Sequence, residues 1–156
     1  DNILTNNQEA GSYTEAEIAV DIKKWNSAVD DVIKLYFEHK KNNNYKSGWP
    51  LLVRFTQSDD SLIGMTSGRN SVFIDTFNTI SKAKDENLEN YFKDFENLLI
   101  NKYQGRPHYG KRNYLDSKKM KKIYGKNAAE FNKIRKSMDP MGMFSNNYID
   151  NLLEFV

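Results

Sequence analysis

Between residues 86 and 103 the side chains Leu88, Tyr91, Phe92, Phe95, Leu98, Leu99 and Tyr103 recur at intervals of three and four. That spacing gathers them on one stripe of an α-helix, and so aromatic a stripe must lie against a second layer. Two earlier stretches supply that layer. Over residues 15–22, Ala16, Ile18, Val20 and Ile22 alternate with Glu15, Glu17, Ala19 and Asp21, and over 71–78, Val72, Ile74 and Thr76 alternate with Phe73, Asp75 and Phe77. Period two predicts strands with two unlike faces, and the Phe73/Phe77 face is large enough to call for packing under a helix. A third strand is predicted over 51–56, after the break at Gly48-Trp49-Pro50, and it sets Arg54 among hydrophobic neighbours. The loop over 57–70, with Asp59-Asp60, Gly64 and Gly68, has room for a very short strand at 62–65.

Helical spacing also links Ala28, Val32, Leu35, Tyr36 and His39, with a cap expected at Asn26 or Ser27 and an end in the run 40–44. Beyond residue 115 the helices are short: one capped by Asp116 and running to Tyr124, one over 127–138 stopped by Asp139-Pro140-Met141-Gly142, and a turn or two over 145–155. The methionines Met138, Met141 and Met143 read as packing around that stop. The order β-α-β-β-α followed by small helices predicts an α+β fold, an antiparallel sheet of three to four strands with helices on one face. A sheet this small leaves edges and a second face uncovered, which suggests part of a larger sheet. Residues 1–14 are polar and read as a flexible lead-in, leaving 15–156 as a single domain.

Composition narrows the chemistry. Without cysteine the chain offers no disulfide, thiolate nucleophile or Cys-ligated zinc, and its two histidines, His39 and His108, are not at metal-ligand spacing. The 23 Lys and Arg against 21 Asp and Glu leave a charge of +2, too balanced to argue for nucleic acid. No apolar run approaches the ~20 residues of a membrane span. The chain reads as soluble, with the cytoplasm favoured and no membrane association indicated. Its opening on Asp1 rather than Met reads as a fragment or processed chain. The densest chemistry is Gly105-Arg106-Pro107-His108-Tyr109-Gly110-Lys111, where two glycines and a proline forbid a regular helix and set cations, an imidazole and a phenol on a fixed loop.

Five blocks, taken in order, carry a resemblance: Pro50-Leu51-Leu52-Val53-Arg54-Phe55-Thr56, Asp59-Asp60, Arg69-Asn70-Ser71, the 105–111 loop, and Asp139-Pro140-Met141-Gly142-Met143-Phe144. Together they resemble the C-terminal region of the sugar-lactone oxidases, the flavoprotein family of L-gulonolactone oxidase, D-arabinono-1,4-lactone oxidase and alditol oxidase. The resemblance implies a substrate or cap domain over the ring of an FAD that an N-terminal domain, absent from this chain, would hold; hydride would pass from a CH-OH carbon of a lactone or alditol to flavin N5, and the electrons to oxygen or another acceptor. It implies cofactor-facing roles for His108, Tyr109, Lys111 and Arg106, with Lys111 stabilising the reduced flavin, and substrate-side roles for Arg54, Leu52, Thr56 and Arg69. Lys111 and Arg54 are the implied catalytic pair.

Two positions depart from the family pattern. Leu52 stands where a glutamate commonly contacts the polyol, and Tyr109 where tryptophan is usual. Bland readings stand beside these: Arg54 could pair with Asp59, Asp60 or Asp75, Arg69 could be a loop ion-pair partner, and the lysines between 118 and 122 could be a solvated helix face. A non-catalytic binding module with the oxidase fold is one alternative function. A nucleic-acid-binding domain using those lysines with Tyr114 and Tyr124 is another, and it would need an aromatic and basic surface on the sheet.

Overall fold

The computed structural model describes residues 13–43, 45–47, 50–79 and 85–154. Strand β1 (Tyr13–Asp21) leads through a 3-10 turn (Ile22–Lys24) into α1 (Trp25–Asn42); β2 (Leu52–Thr56), β3 (Ser71–Thr79), α2 (Glu86–Tyr103) and β4 (Arg106–Pro107) follow, then α3 (Ser117–Tyr124), α4 (Lys126–Met138) and α5 (Asn147–Leu153). The four strands form one antiparallel sheet in the order β2-β3-β1-β4. The architecture is the α+β one that the two periodicities predict.

The stripe on α2 covers one face of the sheet, where Ile18, Val20, Val72 and Ile74 pack with Tyr91, Phe92, Phe95 and Leu99, and α1 adds Ala28 and Val32. All ten of these side chains are at most 1% exposed, so this interface is the main store of apolar burial. A second core, around Met120, Tyr124, Ala128, Leu152 and Leu153, gathers α3, α4 and α5.

Several expectations are corrected. β1 takes in Tyr13 and Thr14, which the polar pattern left in the lead-in; the rest of the lead-in, together with Gly48, Trp49 and Phe155, lies outside the described residues. The cap of α1 is neither Asn26 nor Ser27: the strand runs straight into the 3-10 turn, and Asp21 accepts from the Lys23 N–H at 2.8 Å. Residues 62–65 form bends and a turn, because the loop folds on the Asp59 carboxylate, which accepts from Ser61 and Thr66. No helix covers Phe73 and Phe77 among the described residues; both helices chose the aliphatic face, and the aromatic face is open. The methionines do not pack around their turn. Met138, Met141, Met143 and Phe144 are 76–85% exposed, and the turn is held by the Asp139 carboxylate, which accepts from the Met143 and Phe144 N–H groups.

The end of α2 places the 105–111 loop. Gln104 takes the left-handed conformation at φ 55°, and Gly105 donates to Leu99 O at 2.8 Å, turning the chain back toward β1. A Cβ on Gly105 would stand 2.7 Å from Ile18 Cγ2 and 2.9 Å from the Leu99 carbonyl, so only glycine passes there. Gly105→Ala is expected to destabilise by about 1–3 kcal/mol, the usual cost of overpacking against backbone, read as a lower denaturant midpoint.

Candidate functional site

Sheet register assembles the site. Glu17 lies opposite Asp75 across β1 and β3, Asp75 lies opposite Leu52 across β3 and β2, and Arg54 lies opposite Phe73. Directly opposed residues share a face, so Glu15, Glu17, Phe73, Asp75, Leu52, Arg54 and Thr56 all stand on the face that the helices leave open. The loop after β4 is pinned along the same strand: His108 N–H donates to Glu17 O and Arg112 N–H to Glu15 O, each at 2.9 Å. Lys111, turned by an N–H bond to His108 O at 3.2 Å, drops its ammonium among the acids.

The result is a five-membered ionic cluster. Lys111 Nζ is 2.7 Å from Glu17 Oε2, 3.1 Å from Glu15 Oε1 and 3.8 Å from Asp75 Oδ1. Arg54 Nη2 donates to both Glu17 Oε1 and Asp75 Oδ2, the latter at 3.0 Å, while the guanidinium lies over the Phe73 ring. Glu17 and Asp75 are almost wholly buried, whereas the Arg54 side chain is 55% exposed. Arg54 is thus anchored from below through Nη2 and open above, where its remaining N–H groups can meet a carbonyl or hydroxyl.

Burial, and next to it the Glu17 charge, pushes the Asp75 carboxyl up to about 6, against the pull of Lys111 and Arg54. Asp75 Oδ1 has no hydrogen-bond donor. Burial disfavours the Lys111 ammonium, but its bonds to Glu17 and Glu15 outweigh that and hold it above its ordinary value; Arg54 is likewise held up by Asp75 and Glu17 against burial. With every group ionised, two cations face three carboxylates. This face is aromatic but not basic, so it lacks what the nucleic-acid reading requires.

The remaining predicted residues divide. Leu52 and Thr56 are exposed beside Arg54. His108 is half-buried, and its Nδ1 accepts from the Gly110 N–H at 3.0 Å, leaving Nε2 to carry the hydrogen of the neutral ring. Tyr109 turns away into the second core, donating to Ile63 O at 2.7 Å, and burial pushes its phenol up. Arg106 and Arg69 also leave the face: their guanidinium groups bond main-chain carbonyls, Arg106 at Met65 and Ser67, Arg69 at Ala19 and Gln104. Glu15 and Glu17 are the members that periodicity missed. A Glu at the polar position of an alternating strand reads as solvent-facing, and only the pairing with β3 and the arrival of Lys111 bury it.

A family profile described as D-arabinono-1,4-lactone oxidase matches residues 4–152, nearly the whole chain. The chain belongs to the D-arabinono-1,4-lactone oxidase family. Among named relatives, the L-gulono-1,4-lactone dehydrogenase of Mycobacterium tuberculosis is 28% identical over 141 residues, 90% of this chain and 31% of that protein. The L-gulonolactone oxidase of Scyliorhinus torazame is 30% identical over 85% of this chain and 29% of its own length, and that of Mus musculus 32% identical over 67% and 23%. The chain therefore spans less than a third of the length of these relatives. Membership makes it part of a sugar-lactone oxidoreductase lineage. Across the strand from Leu52, Asp75 presents a carboxylate to Arg54. No described helix is long and apolar enough to cross a membrane.

Proposed function

We propose that this chain is the substrate-side domain of an FAD-dependent oxidoreductase that oxidises a CH-OH group of a sugar lactone, alditol or related alcohol. Family membership supplies the reaction class; the observation that carries the reading to these residues is the convergence of Arg54 and Lys111 on one open sheet face, each fixed from beneath by buried acids. The FAD nucleotide would be held by another part of the protein. The described residues contain no glycine-rich strand-turn-helix for a pyrophosphate, and Gly105, where a Cβ would strike backbone, serves a chain crossing instead of a ligand. The face does fit the polar edge of a flavin ring: it carries the Phe73 and Phe77 rings and a half-exposed guanidinium beside an ammonium.

A bound flavin would supply the hydride acceptor for the carbinol carbon and the route for its electrons to oxygen or another acceptor. Lys111 and Arg54 place positive charge where negative charge develops, already oriented before the reaction. Glu15, Glu17 and Asp75 are positioning residues: they hold the two cations and moderate their charge. His108 ties the loop to β1 through its N–H bond to Glu17 O.

The test is the visible spectrum of the intact protein. A flavin absorption that bleaches under anaerobic addition of L-gulono-1,4-lactone, D-arabinono-1,4-lactone or an alditol is expected. A protein without flavin, or one whose flavin no such compound reduces, overturns the reading in favour of a non-catalytic binding module.

A further inference from the structure

Arg69 and Arg106, drawn away from the sheet face, meet elsewhere. Among the described residues Arg69 donates through Nη2, to Ala19 O at 3.1 Å and Gln104 O at 2.9 Å, and Arg106 through Nη1, to Met65 O at 3.3 Å and Ser67 O at 2.6 Å, with its guanidinium over the Tyr124 ring. Together with Lys122 they line a cavity of about 440 Å³, whose polar wall is completed by Asn101 and Gln104 and which no Asp or Glu lines. Lys122 Nζ rests on Asn101 Oδ1 at 2.7 Å.

Charge balance sets this place apart. The other half-buried cations among the described residues, Lys111, Arg112, Lys119 and Arg135, all have a carboxylate within ion-pair distance. Among the described residues Arg69, Arg106 and Lys122 have none, and Arg69 Nε is buried without any partner. Asp21 and Asp59 act on the two guanidinium groups only at longer range. Burial, and after it the like charge of Arg106, brings Arg69 down to about 10, so the cavity disfavours the very charges that line it.

Helix ends are a competing explanation, since α2 and α3 both finish here and carbonyl ends attract cations. Those ends are already met in part by backbone: Gln104 N–H bonds Ile100 O, Gly105 N–H bonds Leu99 O and Gly125 N–H bonds Lys121 O. Among the described residues the buried Nε–H of Arg69 remains unmatched. Two guanidinium forks and an ammonium suit a dianion with several acceptor oxygens, and the volume exceeds that of a bare ion.

We propose that this cavity is a binding site for a phosphate group, clamped by Arg69 and Arg106 with Lys122 at its mouth. The proposal does not depend on the flavin reading. Two sources share the chemistry: free inorganic phosphate, or the phosphoryl end of a larger metabolite. Calorimetric titration of the intact protein with inorganic phosphate and, separately, glucose 6-phosphate, at an ionic strength fixed with chloride, distinguishes them. Saturable one-site binding is expected, tighter for the sugar phosphate if a metabolite is the natural ligand and equal or weaker if free phosphate is. Arg106→Gln should weaken it by about 100-fold, the scale of lost charge-assisted bonds. Because Arg106 also fastens the 65–67 loop, the deciding variant is Lys122→Gln, whose side chain is exposed and bonds no backbone, with an expected loss of about tenfold. Absence of saturable binding of both probes, or binding that Lys122→Gln leaves unchanged, overturns the proposal.

Discussion

Lys111→Met in the intact protein is expected to slow reduction of the flavin by substrate about 10²–10³-fold, the range for removing one preorganised charge from a developing anion. The same change has a second signature. Among the groups that pull the Asp75 carboxyl down, Lys111 comes first and Arg54 after it. With Lys111 gone, burial and the Glu17 charge push Asp75 further above 6. The variant then takes up a proton on folding over a wider range, so its stability should go on falling with rising pH to higher pH than in the parent. Lys111→Arg keeps a cation at Glu17 and should restore much of the pH profile while recovering the rate only in part, since a planar fork does not place charge as an ammonium does. A Lys111→Met protein that reduces its flavin at the parent rate would remove Lys111 from the site, whatever its stability.

Sequence periodicity carried the two layers far. Glu86–Tyr103 emerged as a helix with the bounds its apolar stripe predicts, and the alternation in β1 named Ala16, Ile18 and Val20 as its inward face. What periodicity could not say is which face of β3 the helices would choose. Phe73 and Phe77 have more apolar surface than Val72 and Ile74, yet the aliphatic side was taken because its partner Ile18/Val20 face on β1 is uninterrupted, while the aromatic side shares β1 with Glu15 and Glu17. β4 was invisible for a related reason: two residues, one of them Pro107, have no pattern, and they pair with β1 only because Gly105 turns the chain there.

The candidate site was half legible. Arg54 and Lys111 stood out by resemblance, and Asp75 stood among three acids that could meet Arg54. The structure chooses Asp75 and adds Glu17, because their register is fixed by eight other paired positions along β1 and β3. Tyr109, Arg106 and Arg69 show the limit of reading a motif as a unit. In an extended or tightly turned loop neighbouring side chains diverge, so His108 and Lys111 lie along β1 while Tyr109 enters the second core and Arg106 reaches the 65–67 loop.

Asp75→Asn tests whether the buried acid sets the behaviour of the cluster. Its carboxyl lies at about 6 in the folded protein, above its ordinary value of 3.8, so between those values the folded chain holds a proton that the unfolded chain has released. That group therefore contributes most stability below pH ~4 and loses it as pH climbs to ~6. Urea unfolding of the parent across this interval should show that decline once titration of the other carboxylates is subtracted, and in Asp75→Asn the decline should be gone. The amide still offers Arg54 an oxygen but no charge, so the guanidinium keeps a weaker second anchor beside Glu17. A looser Arg54 is expected to lower kcat/KM about 10–10²-fold, mostly through KM, as misplacement of a binding group does. If the decline persists in the variant, the titrating acid is Glu17 or Glu15, and the role given to Asp75 passes to them.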